Sequence, residues 1–270
     1  MGTSLRRRRG AACAAAALSA LVLSACLPGD DGGGGGESSG DASPSSSAEA
    51  DPSSETGEGG GDAPTPYEAD EFTEPQQREL TSKEAKAALP TVKDMPDKHY
   101  KQDVSDNGTS DPYTYDPKKC AAIEFASDGA VAFADEHRTT LEYARFFQPR
   151  SAGGDFLGVW IHSYDEPYPL AYFDEAGSAL SSCAEFVATS PKGHDFGRKT
   201  QAISAPTIDG AERVFAVRIV GDRVNTDRLY VRSGHNRIVV MQQRAGDEPF
   251  DERLLTKHAK AVLADLKKGS

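Results

Sequence analysis

The chain has 270 residues, a formal net charge of −12, 37 % hydrophobic and 8 % aromatic residues. The charge is unevenly placed: residues 1–25 hold four arginines and no acid, and residues 27–77 hold thirteen acids and no lysine or arginine. Residues 78–270 keep 26 basic and 29 acidic groups, so they are close to neutral, and no basic run marks a nucleic-acid footprint.

MGTSLRRRRG forms a positive n-region, followed by AACAAAALSALVLSA, an apolar stretch of about fifteen residues that suits a secretory signal better than a bilayer span. It ends in Leu23-Ser24-Ala25-Cys26, which resembles a bacterial lipobox. That resemblance implies a signal peptide over 1–25, removed with Cys13 inside it, and a diacylglyceryl group (with palmitate-type chains) on the Cys26 thiol. The alternatives are a transmembrane anchor and a plain secreted protein. Ser4-Leu5-Arg6-Arg7 faintly resembles a twin-arginine export signal without its downstream residues, so the export route stays open.

Residues 26–77 are the expected lipidated N-terminus and stalk. Gly, Ser, Pro, Asp and Glu dominate, with Leu27, Tyr67 and Phe72 the large apolar or aromatic exceptions. Such a segment buries too little apolar surface to offset chain entropy, so a disordered region is expected. A flexible coil of about fifty residues reaches roughly 35–42 Å root-mean-square, more when like charges repel.

From residue 78 onward periodicity appears. ELTSKEAKAALP predicts a short helix with Thr81 or Ser82 as N-cap, Glu84 in its first turn and Pro90 as its stop. AVAFADEH reads as a strand with Val131 and Phe133 on one face. LEYARFF places Leu141, Tyr143 and Phe147 opposite Ala144 and Phe146. DFLGVWIHSY places Leu157, Val159 and Ile161 opposite Phe156, Trp160, His162 and Tyr164. Leu170, Phe173, Leu180, Cys183 and Val187 then recur at near-helical spacing, predicting a helix that ends before Pro191. Strands are expected around KTQAIS, AERVFAVRIV, DRLYVRS and RIVVMQQR, the last two joined by the turn Ser233-Gly234-His235-Asn236. DEPFDERLLTKHAKAVLADLKK predicts a final amphipathic helix with Asp247 as cap, Pro249 in the first turn, and Phe250, Leu254, Val262 and Leu266 inward. The order predicts one α+β domain over 78–270: a mainly antiparallel sheet with packed helices.

With Cys26 lipidated, an extracytoplasmic domain keeps Cys120 and Cys183, a pair expected to form a disulfide; two buried free thiols are the alternative. LPTVKDMPDKHY, DPKKC with Cys120, and SALSSC with Cys183 resemble the extracellular sensor domain of PknH-type receptor kinases and its free-standing lipoprotein relatives in actinobacteria. The resemblance spans about 85–268. It implies a ligand-sensing or binding module. A second disulfide of the kinase sensors has no cysteines here, and Leu180 stands near the place of a tryptophan often found in the cysteine helix.

Catalytic signatures are absent from the sequence: no G-x-S-x-G, H-E-x-x-H or P-loop, and six histidines without metal-ligand spacing. No catalytic residue, metal ligand or cofactor is assigned. Asp103, Ser105, Asn107, Gly108 and Asp111 follow a calcium-loop template, but Thr114 stands where a bidentate Glu is needed. Trp160, Tyr164, Tyr168 and Tyr172, beside Asp165 and Glu166, form the candidate ligand-binding segment, since aromatic faces with carboxylates hold sugars or cations; the same rings would equally fill a sheet–helix joint. The leading expectation is a lipid-anchored lipoprotein on the extracytoplasmic face of the cell membrane. Its non-catalytic sensor-like domain would bind a small molecule, glycan or envelope protein, with no nucleic acid as partner. The alternatives are an accessory protein-interaction lipoprotein and an envelope hydrolase using His162, Asp165 and Glu166.

Overall fold

Thr81 makes the first local decision in the folded region. In this computed structural model, which describes residues 72–103, 113–149, 154–221, 224–245 and 251–269, its hydroxyl accepts from the Glu84 N–H, and the Glu84 carboxylate accepts from the Thr81 N–H at 2.9 Å. This reciprocal box starts helix α1 (Ser82–Ala87). Those hydrogen bonds and the neighbouring Arg78 guanidinium, the largest influence, hold the Glu84 carboxyl down at about 2.

The further helices are α2 (Asp128–His137), α3 (Ala171–Leu180) and α4 (Glu252–Lys267), with 3-10 helices at Val92–Asp94 and Lys118–Glu124. Nine strands form one sheet: β1 (Lys101–Gln102), β2 (Thr114–Asp116), β3 (Arg138–Phe147), β4 (Phe156–Tyr164), β5 (Glu185–Thr189), β6 (Asp195–Ala202), β7 (Arg213–Gly221), β8 (Val224–Ser233) and β9 (Asn236–Ala245). Their order is β1-β3-β4-β9-β8-β7-β6-β5-β2, and every neighbouring pair is antiparallel. The expected α+β class with an antiparallel sheet is the class found. Strands β1 and β2, close in sequence, lie at opposite edges of the sheet.

Period-two alternation divides the sheet into two packed faces. On the first, Ala144, Phe146, Leu157, Val159, Ile161, Leu229, Val231, Ile238 and Val240 meet α1 and α4, whose inward side carries Leu254, Leu255, Ala259, Val262, Leu263 and Leu266. On the second, Phe215, Val217, Ile219, Tyr230 and Val239 meet α3, the 3-10 helix Lys118–Glu124, and Ala134 of α2. Phe125 caps that 3-10 helix in the left-handed region (φ 54°) and packs on Tyr230 and Phe173, with ring centroids 4.3 and 4.8 Å apart. The Cys120–Cys183 disulfide fastens the same helix to the segment after α3, with Cα atoms 5.7 Å apart. On the chain-entropy account, closing a loop with a separation of 63 residues contributes about 4 kcal/mol.

Four expectations are corrected. AVAFADEH is helical: it lies within α2, where Ala130 and Ala134, one turn apart, are buried and Val131 is exposed. The helix expected to run to Pro191 stops at Leu180, Cys183 follows it, and Val187 belongs to β5. Helix α4 is capped by Asp251, whose carboxylate accepts from the Arg253 N–H at 3.1 Å; Asp247 and Phe250 lie outside the described residues. Packing also begins before residue 78: Phe72 and Gln76 are buried, and the Gln77 carbonyl accepts from the His235 N–H at 2.7 Å. Gly234, with φ 54°, has no room for a Cβ, which would stand 2.2 Å from that Gln77 carbonyl oxygen. The calls on Cys26, on the signal peptide, on the stalk through residue 71 and on Ser105 to Asp111 fall outside the described residues.

Candidate functional site

Helices α2 and α3 cover only part of the second face. Under them, Tyr164 and Tyr168 are fully buried, with ring centroids 5.0 Å apart, and Phe133 of α2 lies 5.3 Å from Tyr164. Tyr172 is half-buried and donates its hydroxyl to the Gly129 carbonyl at 2.9 Å. Three of the four aromatic residues expected to bind ligand thus form the sheet–helix joint. Trp160 is half-buried and packs against the same cluster, with its ring contact to Phe156 rather than to the tyrosines.

On the same face, β3 exposes Leu141, Tyr143 and Phe147, while Phe156 and Trp160 of β4 and Met241 and Gln243 of β9 are half-buried. Register decides which rings meet: Tyr143 pairs with Trp160, Phe147 with Phe156, Trp160 with Val239, and Phe156 with Gln243. Leu141, Tyr143 and Phe147 are 36, 39 and 40 % exposed. The Trp160 indole lies along its strand over Gly158, where an added Cβ would meet ring carbons Cη2 and Cζ3 at 2.2 and 2.5 Å. The Phe156 ring is 6.3 Å from it, centroid to centroid. Gly158 leaves the space that the Trp160 indole occupies, and the Phe156 ring is tilted 38° to it.

Polar groups frame these rings. Arg145 pairs with Asp103 at 3.3 Å and lies 5.0 Å over the Tyr143 ring. Arg237, 8 % exposed, sits between the Phe125 and Tyr168 rings (5.6 and 5.1 Å) and donates to the Tyr168 hydroxyl at 2.9 Å. Burial and the nearby Arg237 and Arg138 charges push His162 well below the ordinary histidine range, so its imidazole is neutral. Asp165 and Glu166 gather on His137, at 3.0 and 3.9 Å, so the three residues suggested for hydrolysis are not assembled with one another. Among the described residues no group of three or more His, Cys, Asp or Glu could hold a metal ion.

The same face continues past Gln243 into a cleft of about 550 Å³ lined by Gly221, Val224 and Thr226, with Phe196 and Arg198 on its far wall. The Arg198 guanidinium lies 5.7 Å over the Phe196 ring, and its Nε is buried without a hydrogen-bond partner. An aromatic floor, hydroxyl and amide groups and a cation suit a ring-shaped, hydroxylated ligand. Sequence reading put Tyr143, Phe147, Phe156 and Trp160 on named strand faces but had no register to join them. It had no signal for Gln243, Thr226, Phe196 or Arg198.

No protein-family model matches the chain, and no curated protein does. Among solved structures, an uncharacterized protein of Mycobacterium smegmatis, an Rv0999 ortholog, is similar at 14 % identity over 67 % of this chain and 96 % of its own, with a TM-score of 0.39. The extracellular domain of PknH from Mycobacterium tuberculosis is similar at 12 % identity, over 71 % of this chain and 99 % of that one, with a TM-score of 0.52. Among the described residues no helix is long and apolar enough to cross a membrane. What the chain has in common with the PknH extracellular domain is its fold.

Proposed function

We propose that this protein is a lipid-tethered, non-catalytic extracytoplasmic binding domain whose ligand is a glycan or a similarly ring-shaped, hydroxylated molecule lying along the open half of the second sheet face. One observation carries the reading: the exposed Tyr143 ring and the half-buried rings of Phe156 and Trp160, the last lying over Gly158, share a sheet face with a cleft that has a cation on its wall. The likeness of fold to the extracellular domain of a kinase supports a sensor-like role. Stacking a sugar ring on such a floor leaves its hydroxyls to Gln243 and Arg198.

Trp160 is the chain's single tryptophan, so its emission reports on this site alone. Titration with N-acetylglucosamine trisaccharide and soluble muropeptides is expected to give a saturable shift in emission. Trp160→Ala, followed by calorimetry, is expected to weaken that binding about tenfold, the equivalent of ~1.4 kcal/mol of stacking. Unchanged emission with every fragment, or binding indifferent to Trp160→Ala, rejects the reading. The exposed row Leu141, Tyr143 and Phe147 favours a second reading, docking on another envelope protein. In that case Phe147→Asp abolishes co-sedimentation with membrane partners and the sugar titrations stay flat.

A further inference from the structure

The first sheet face carries a groove of about 390 Å³ beside α4, unrelated to the aromatic floor on the opposite face. Ala216, Leu229 and Leu255 form its base, and all three are apolar. Its rim is cationic. Arg253, Lys257 and Lys260 recur at i, i+4 and i+7 of α4, so they share one side of the helix, and all are exposed. Like charges at such spacing cost an isolated helix a little stability. None of the three makes an ion pair with a carboxylate among the described residues. Lys257 feels Asp94, but that carboxylate is already held by the Thr91 N–H and hydroxyl at 2.7 and 2.8 Å. The acid that lines the groove, Asp227, is 1 % exposed and bound to both Arg218 Nε and Nη2 at 2.8 Å. On a chain of net charge −12, this groove is therefore a local positive site with an apolar base.

We propose that the groove binds an anionic amphiphile, its alkyl chain on Ala216, Leu229 and Leu255 and its carboxylate or phosphate among Arg253, Lys257 and Lys260. Charge complementarity selects the head group: three cations without ion-pair partners draw one anion, and a cationic head is repelled. The base selects the tail, because a wholly polar anion would leave that apolar surface wet. The volume lies within the range of small-molecule sites, about 300–1,000 Å³.

The test uses the full chain carrying Cys26→Ser, so that no lipid of its own competes. Dodecanoate and dodecyl phosphate, titrated calorimetrically below their micelle concentrations, are expected to bind one per chain. Dodecyltrimethylammonium, of equal chain length, is expected to bind at least tenfold more weakly, and inorganic phosphate not at all. The double substitution Lys257→Gln with Lys260→Gln, at exposed positions that leave the core alone, is expected to weaken dodecanoate at least tenfold. Ser204→Phe at the groove mouth, which leaves Trp160 the single tryptophan, is expected to block it. Trp160 emission stays constant throughout, which separates this site from the aromatic floor. Equal affinity for the cationic amphiphile, binding only to micelles or anionic vesicles, or indifference to both variants overturns the proposal. Preference for dodecyl phosphate over dodecanoate would assign a phospholipid rather than a free fatty acid as the source of the same chemistry.

Discussion

Gly158 shows how one missing side chain shapes a surface. Its place in β4 is ordinary strand backbone, and what it supplies is space: the Trp160 indole occupies the volume an alanine methyl would need, 2.2 Å from its Cη2. Gly158→Ala is therefore expected to lift the indole off the sheet. The added methyl also narrows the unfolded ensemble, worth ~0.4–1 kcal/mol in favour of folding, but overpacking of this kind costs ~1–3 kcal/mol, so net destabilisation is expected. Urea unfolding should show the loss, and Trp160 emission should shift to the red as the ring gains water. Unaltered emission together with unaltered stability would mean that the ring does not rest on Gly158. In the sequence this glycine is one residue in an alternating run, and nothing local marks it. Trp160 stood out in the sequence as a candidate binding residue because rings cluster around it. That its ring meets Phe156 rather than Tyr164, Tyr168 and Tyr172 was not legible, because which rings meet is set by tertiary packing.

At the scale of elements, strands with long alternation were legible and short apolar segments were not. Strands β3 and β4 carry the alternation read in the sequence, and β7, β8 and β9 carry apolar runs long enough to mark a strand, those of β8 and β9 buried on both faces. AVAFADEH matches period two as well as it matches one turn of helix. What decides it is Ala130 and Ala134 finding buried positions one turn apart. Helix α4 was the clearest of all, since its inward residues repeat over four turns, and it contains a burial that hydropathy alone would not place there. His258 is 2 % exposed, its Nε2 has no hydrogen-bond partner, and burial, aided by Lys257 and opposed by Asp94, lowers its pKa to about 4. The unfolded chain, with histidine near 6.5, takes up the proton first, so stability falls as pH drops from about 6.5 towards 4 and is retained above that window. The full linkage is roughly 3 kcal/mol. His162 is lowered too and contributes with the same sign, so the comparison must be a difference. Between pH 7 and 4.5, His258→Leu is expected to lose less stability than the native chain by most of that amount. Parallel pH profiles for the two would remove His258 from the balance.

For the whole molecule, the proposed reading divides folding and membrane attachment between separate segments. The domain holds together through two packed faces and the Cys120–Cys183 bridge, and among the described residues no helix is long and apolar enough to cross a membrane. The proposal places the attachment at Leu23-Ser24-Ala25-Cys26, where a thiol with small neighbours ends an apolar run ahead of the acidic segment. Each buried methylene of an attached acyl chain contributes about 0.8 kcal/mol, so two chains hold far more firmly than one. Serine at this position has the right size for the peptidase but lacks the nucleophile that takes the lipid. Cys26→Ser is therefore expected to move the protein from the membrane fraction to the medium, or to leave an uncleaved precursor, and to abolish labelling by radioactive palmitate. On the proposed reading the Trp160 titration should be the same for the tethered and released forms, because there the anchor would set location and the sheet face affinity. A cleaved Cys26→Ser protein still found in membranes would show that something other than this cysteine holds it there.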